Sequence, residues 1–280
     1  MALGHWYWCG IGVALFIVVI VVGYLLIGII QRVWNYRKLR KWKQRTQDSE
    51  TLIVHVPPEA STIPNISPFA MKVLTFLRMA KIPYEIDTGD PFGGKGKTPW
   101  ISHRGNNIAD SEFIIQYLIK TFDIDLTSHC APEDLAIATA VRIMVDEHLL
   151  WGMAMERVVF GSSDNFVRVF KIPKCIVWIL RRIAKGRAKD QGIGHHSQDE
   201  IIEIISKDIK TISLILAKKQ FICGTEPCPE DAGIFGMLSQ FYWGLPNNPY
   251  EKLLNASCIN LKSYCNRIRA TYWPDWEDQF

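Results

Sequence analysis

Residues Ile11 to Ile30 run for twenty positions without a charge, interrupted only by Gly12, Gly23, Gly28 and Tyr24. As a helix such a run rises about 30 Å, the thickness of a bilayer's hydrocarbon core. Trp6, Tyr7 and Trp8 flank one end and Trp34 and Tyr36 the other, where amphipathic rings settle at a membrane interface. A cleaved signal peptide fits poorly, because residues 1–10 hold no Lys or Arg. A buried core helix fits poorly too, since few are apolar on every side for that length. The run predicts a transmembrane helix over 11–30 behind a short N-terminal segment, 1–10.

Arg32, Arg37, Lys38, Arg40, Lys41, Lys43 and Arg45 then precede the first acid, Asp48. The net charge of +4 less these seven cations leaves −3 for residues 48–280. The basic surplus therefore belongs to a juxtamembrane linker, 31–49, and argues against a nucleic-acid partner. It predicts contact with anionic lipid, at about 1 kcal/mol per cation near the surface. By the positive-inside rule the domains are expected in the cytosol and the N-terminus in the lumen or outside. The organelle is left open among lysosome, endoplasmic reticulum and mitochondrial outer membrane. The seven cysteines form no Cys-x-x-Cys pair, and their odd count and irregular spacing suit a reducing compartment.

Residues 50–125 read as an α/β domain. Thr51 to Val56 is a buried strand closed by Pro57-Pro58, and a long loop leads to a helix from Pro68 to about Ala80. Pro83 to Asp87 is a second strand, and Pro99-Trp100-Ile101 with Asn107-Ile108 makes a hairpin around Arg104-Gly105. A helix opens at Asp110-Ser111. Ser67 suits an N-cap with Pro68 at the first helical position, and Asp110-Ser111 suits a second cap. The glycine- and lysine-rich stretch Gly93 to Lys97 lacks the flanking pattern of a P-loop and reads as loop.

Residues 131–280 read as helical. Glu133 to about Phe160 offers Leu135, Ala138, Val141, Ile143, Val145 and Leu149 to a core. Asp146-Glu147-His148 and His195-His196 are adjacent on the chain and so make poor metal sets; a solvated face or paired charges is the plainer reading. Phe166 to Ala188, rich in both apolar and basic residues, is expected as a core helix rather than a membrane-surface one. Ser197 and Glu200 form a capping box for the next helix. Cys228 and Asp231 occupy the places of another box, with cysteine where a hydroxyl normally caps. No preformed metal site is expected, and the nearest thiol pair is Cys223 with Cys228.

Ser67-Pro68-Phe69, Thr98-Pro99 and Asp110-Ser111 stand in the order and spacing of a thioredoxin-like domain. The succession β-α-β then β-β-α resembles the N-terminal domain of glutathione transferases, followed by their all-α C-terminal domain. The resemblance implies a cis peptide at Thr98-Pro99 and a glutathione pocket built from Thr98, Pro99, Asp110 and Ser111. It gives Ser67 the catalytic place, where a hydroxyl would stabilise the glutathione thiolate. The alternative local reading, that Ser67 only caps its helix, stays open. Ser67 and Ala70 replace both sulfurs of a redox pair, so thiol–disulfide exchange is not expected.

More closely, Ile66 to Lys72, Gly96 to Ile101, Ile108 to Ser111, Gly192 to Ser197 and Pro229 to Ala232 resemble the failed-axon-connections family. That family includes cadmium-responsive nematode proteins and stands close to metaxins. Metaxins anchor at the C-terminus and this chain at its N-terminus, which argues against an import role. The resemblance implies a membrane-anchored, transferase-like binding or stress-response protein with weak or no catalysis. An active transferase using Ser67 is the alternative. It implies no cofactor beyond glutathione as ligand or substrate, and leaves a homodimer or a protein partner open.

Overall fold

The computed structural model describes residues 22, 23, 26, 28–162, 167 and 174–279. Most of the apolar run 11–30 lies outside them, and among the described residues no helix is long and apolar enough to cross a membrane.

A four-stranded sheet organises the first half of the chain, in the order β2-β1-β3-β4. Strand β1 (Ile53–His55) runs parallel to β2 (Glu85–Asp87) and antiparallel to β3 (Trp100–His103), which pairs with β4 (Asn106–Ala109). The parallel pair requires a crossover, supplied by helix α2 (Pro68–Met79). The β3–β4 turn places Arg104 at φ 46° and Gly105 at φ 71°, the backbone that a two-residue hairpin demands. Helix α3 (Ser111–Phe122) follows and lies on the same side of the sheet as α2.

The two sheet faces bury different things. Val54 and Ile101 join the main core under α2 and α3. Ile53, His55, Trp100 and Ser102 point the other way, as period-two alternation requires. That second face is covered by α1, helical over 28–46, because residues 88–99 between β2 and β3 are loop. Trp42 packs with Ile53 and Trp100 in a small separate core flanked by Leu39 and Ala109. Its indole donates to Asp90 Oδ2 at 2.9 Å. Lys38, one turn earlier, is buried and donates to the Phe92 carbonyl, while Asn107 Nδ2 holds the Leu39 carbonyl at 2.7 Å. Beneath them His55 stacks on Trp100, with ring centroids 3.6 Å apart. It bonds Asp87 Oδ2 at 2.8 Å and Ser102 Oγ at 3.0 Å. Burial holds the imidazole below its ordinary pKa although Asp87 pulls it up. Lys38, Leu39 and Trp42, within residues 31–49, thus pack against the sheet. Arg32, Arg37, Arg40, Lys41, Lys43 and Arg45 remain exposed, and Lys38 alone of the seven cations turns inward.

The second half is helical. Helix α4 (Pro132–Met144) continues through a π-helical turn at Val145–Leu149, α5 (Leu150–Ala154) and a second π turn at Met155–Phe160. Of its expected core positions Ile143 is exposed, because it projects from the far face. Helix α6 (Lys174–Gln191) departs further from expectation. Val177 and Ala188 are its buried residues, whereas Ile176, Trp178, Ile179 and Ile183 are exposed, so it lies on the surface and not in the core. Helix α7 (Gln198–Leu216) starts with the Ser197–Glu200 capping box, and Ile201, Ile205, Ile209, Ile212 and Leu216 make its buried stripe.

Helix α8 (Pro229–Ser239) is buried on all sides and packs along α2. Their approach is set by Gly236, where a Cβ would fall 2.7 Å from the Pro68 carbonyl oxygen and 2.8 Å from the Lys72 nitrogen. Asp231, wholly buried, anchors the start of α8. Its carboxylate accepts from the backbone N–H of Ile222 and of Cys228, each at 2.9 Å, and from the Tyr264 hydroxyl at 2.8 Å. Tyr264 belongs to α9 (Ile259–Tyr272), after which Trp273 Nε1 returns to Thr75 Oγ1 of α2 at 3.1 Å.

Two consequences follow for stability. Asp231→Ala leaves three buried donors without an acceptor, at about 1 kcal/mol or more each, so urea unfolding should show a loss of about 3 kcal/mol; a loss below about 1 kcal/mol would contradict the anchoring role. Trp42→Ala removes most of the small core, at about 3 kcal/mol, and should release α1. Amide exchange across residues 38–46 is then expected to accelerate by about a hundredfold, while α2 and α8 keep their protection.

Candidate functional site

The sequence motifs converge on a cleft between the sheet domain and α4, of ≈ 140 Å³. Thr98, Asp110 and Ser111 line it together with Phe69, Lys97, Glu112, Arg142, Asp146 and Glu147. The Thr98-Pro99 bond is cis, as the resemblance implied, and Pro99 is buried behind Thr98 at the start of β3. Thr98 Oγ1 is buried without a hydrogen-bond partner, an orphan hydroxyl at the wall of the cleft.

Asp110 sits at the N-cap of α3 with φ 92° and ψ 126°, a backbone that a residue bearing Cβ rarely adopts. Its Oδ1 accepts from the Glu112 N–H at 3.1 Å, and Oδ2 lies 4.0 Å from the exposed Lys97 ammonium. One carboxylate oxygen is therefore committed to the helix and the other is turned toward the cleft. Ser111 is buried in the first turn of α3, where unpaired N–H groups and the helix dipole favour an anion.

Ser67 stands apart from this set. Its Oγ accepts from the Ala70 N–H at 3.3 Å, capping α2, and its own N–H donates to Asn65 Oδ1 at 3.0 Å. It is absent from the cleft lining, although Phe69 two residues on is part of it. The segment before Ser67 is held from the helical half. Arg157 donates to the Ile66 carbonyl at 2.8 Å and to Gln240 Oε1 at 2.7 Å, and Gln240 Nε2 donates to the Asn65 carbonyl at 3.1 Å. Burial lowers the Arg157 pKa to about 10.

The floor of the cleft holds an ion network that the sequence reading missed. Lys72, 2% exposed, donates to Asp146 Oδ2 at 2.8 Å and Glu112 Oε2 at 3.1 Å. Arg142 reaches the same Asp146 oxygen at 3.2 Å and Glu112 at 3.5 Å. A lysine on the crowded face of α2, between Met71 and Val73, was the available signal, because a buried ammonium requires partners. Asp146 is a buried pair, as one of its two plain readings held, and His148 bonds Asp208 Oδ2 at 2.5 Å. Lys97 and Arg142 line the cleft with Asp110, Glu112, Asp146 and Glu147, and the buried Lys72 is bonded to two of these carboxylates from outside the lining.

Elsewhere, the structure brings Cys130 to Cys223 and Cys228, with all three sulfurs within 4.8 Å of one another. Among the described residues this is the one group of three or more such side chains placed to share a metal ion. The sequence paired only the latter two. Burial pushes the Cys223 thiol up to about 12 and raises Cys130 and Cys228 as well.

Comparison with known proteins accords with this architecture. The glutathione S-transferase N-terminal domain family matches residues 68–165, and the glutathione S-transferase C-terminal domain family matches residues 205–268. Failed axon connections of Drosophila melanogaster is 30% identical over 238 residues, 77% of this chain but 56% of that protein, so the chain spans little more than half of that relative. The isoprene-epoxide glutathione S-transferase of Rhodococcus sp. strain AD45 is 29% identical over 241 residues, 79% of this chain and 98% of that enzyme. Among solved structures, the β-etherase LigF of Sphingobium sp. strain SYK-6 superposes with a TM-score of 0.56 at 17% identity, covering 79% of this chain and 95% of LigF. Bombyx mori glutathione transferase BmGSTD1 gives 0.53 at 14% identity, covering 81% of this chain and 90% of that one. With a thioredoxin-like domain joined to a helical domain in one arrangement with these proteins, the chain belongs to the glutathione-transferase-like family that includes Failed axon connections.

Proposed function

We propose that this is a membrane-tethered member of the family that works by binding glutathione, or a thiol peptide of the same polar makeup, with weak or no transferase turnover. The observation that carries this reading is the separation of binding from catalytic groups. Thr98, Asp110 and Ser111 meet in one cleft, while the Ser67 oxygen is engaged as a helix cap outside its lining. A γ-glutamyl group carries an ammonium and a carboxylate, matched by Oδ2 of Asp110, 4.0 Å from the Lys97 ammonium, and by the N-terminus of α3. The cleft is also small beside the roughly 300–1,000 Å³ of ordinary ligand pockets. That leaves little room for a second, electrophilic substrate. The name of the Rhodococcus relative keeps the enzyme reading as the alternative, because Ser67 Oγ still has a proton to donate. The family resemblance adds a stress-response role, read here as sensing thiol or metal status by binding.

Tethering rests on the uncharged run 11–30 and on the cations that α1 leaves exposed. Helix α6 supports the same orientation, since Trp178, Ile179 and Ile183 turn outward beside Arg182, Lys185 and Arg187, the composition of a bilayer-facing surface. On this reading the domains face the cytosol, the side that the positive-inside rule gives to the cations of residues 31–49.

Asp110→Ala should weaken glutathione binding, read by calorimetry, by about 1.5–3 kcal/mol, the worth of a charge-assisted hydrogen bond. Ser67→Ala should leave affinity within a few-fold and lower stability by about 1 kcal/mol through the lost cap. Conjugation of chlorodinitrobenzene by the wild type, abolished in Ser67→Ala, would replace this reading with the enzyme one. Absence of any glutathione binding by the wild type would end both. For topology, protease added to sealed cytosolic-side-out vesicles should digest the domains; full protection would reverse the orientation.

A further inference from the structure

We infer that Cys130, Cys223 and Cys228 form a binding site for one thiophilic d¹⁰ divalent cation, of the zinc and cadmium class, with the His129 imidazole as fourth ligand. The three sulfurs come from separate places. Cys130 ends the segment that joins the two domains, just before α4. Cys223 and Cys228 flank the turn that leads into α8, whose backbone reverses at Gly224 with φ 145°. All three sulfurs lie within 4.8 Å of one another. Tetrahedral coordination with a metal–sulfur bond of about 2.3 Å sets neighbouring sulfurs about 3.8 Å apart. Small side-chain adjustments therefore close the site. His129 Nε2 lies 3.4 Å from Cys130 Sγ and 3.3 Å from the Glu226 carbonyl, on the turn between the other two cysteines, so the exposed imidazole has to turn inward past Cys130 to complete the set.

The alternative is that these are three small apolar fillers, as buried cysteines often are. Cys258 and Cys265 fit that description, each sunk in the main core. The trio differs because its sulfurs face one another beside an imidazole, and because Cys228 is held from behind. Asp231 accepts from the Cys228 N–H at 2.9 Å and is itself fixed by Ile222 and Tyr264, so the backbone that carries Cys228 is set, while the Sγ–H bond to Asp231 at 3.3 Å is given up when the thiol loses its proton. Orientation of a ligand by hydrogen-bonded neighbours is a regular feature of metal centres. On binding, each thiol gives its proton to solvent, so three thiolates and a neutral imidazole receive the divalent ion. Soft thiolates select zinc or cadmium over magnesium or calcium. Occupancy would clamp the inter-domain segment to the entry of α8.

The test uses the full chain in detergent, reduced, stripped of metal and kept free of oxygen. Titration with Co²⁺ should saturate at one ion per chain, with the visible bands of tetrahedral cobalt and thiolate charge-transfer absorption, and one equivalent of Zn²⁺ or Cd²⁺ should displace it. Cys130→Ser, at a half-buried position that folding tolerates, should lower Zn²⁺ affinity at least a hundredfold, whereas Cys175→Ser should leave it unchanged. His129→Ala should cost about tenfold and shift the cobalt bands; no change would remove the imidazole from the site. A weak octahedral cobalt spectrum or equal affinity in Cys130→Ser would overturn the proposal. Should Cys228→Ser fail to fold, Cys130→Ser and Cys223→Ser decide it.

Discussion

The contact between α2 and α8 at Gly236 sets the position of everything around the cleft. A side chain at Gly236 would drive into the backbone of Pro68 and Lys72, so the two helices approach closely only because that position has no Cβ. Through this contact the first turn of α2, with Ser67 at its cap, is held against the most buried helix of the second half. Asn65 and Ile66, just ahead of the cap, are held from the same side by Gln240 and Arg157. The site is therefore built across the two halves, and neither half carries it alone.

Lys72 extends the same logic to charge. Once α2 is pressed onto α8, its ammonium cannot reach water, and removing a lone charge from water costs several kcal/mol. Asp146 and Glu112 supply the compensation, and because they sit on the π turn that continues α4 and on α3 the network also fixes the walls of the cleft. Replacing Lys72 alone would leave two carboxylates facing Arg142 with half the positive charge. A network of this kind specifies geometry more than it adds stability.

Much of the first domain was legible because its signals are local. Ser67-Pro68 begins α2, Arg104-Gly105 turns the hairpin, and Thr98-Pro99 and Asp110-Ser111 come together at the cleft. What was not legible depends on distant partners. Trp42 stands in a basic stretch, and nothing beside it on the chain shows that Ile53 and Trp100 need a cover. The surface position of α6 was hidden by its apolar content, which on an isolated sequence is indistinguishable from a core stripe. Cys130 lies more than ninety residues from Cys223, so spacing alone could not join them. Ser67 is the reverse case: its cap was legible, and its absence from the cleft lining was not.

The docking of α1 bears on how the protein would sit at a bilayer. Helical residues 28–46 lead from the end of the apolar run directly to Trp42, with no loop between them. From Ile30 to Trp42 a helix advances about 18 Å. Such an arrangement is a stiff post and not a leash. Under the proposed tether it would fix the height and tilt of the domain, so that the cleft scans a thin slab beside the membrane and encounters with membrane-borne partners become a search in two dimensions.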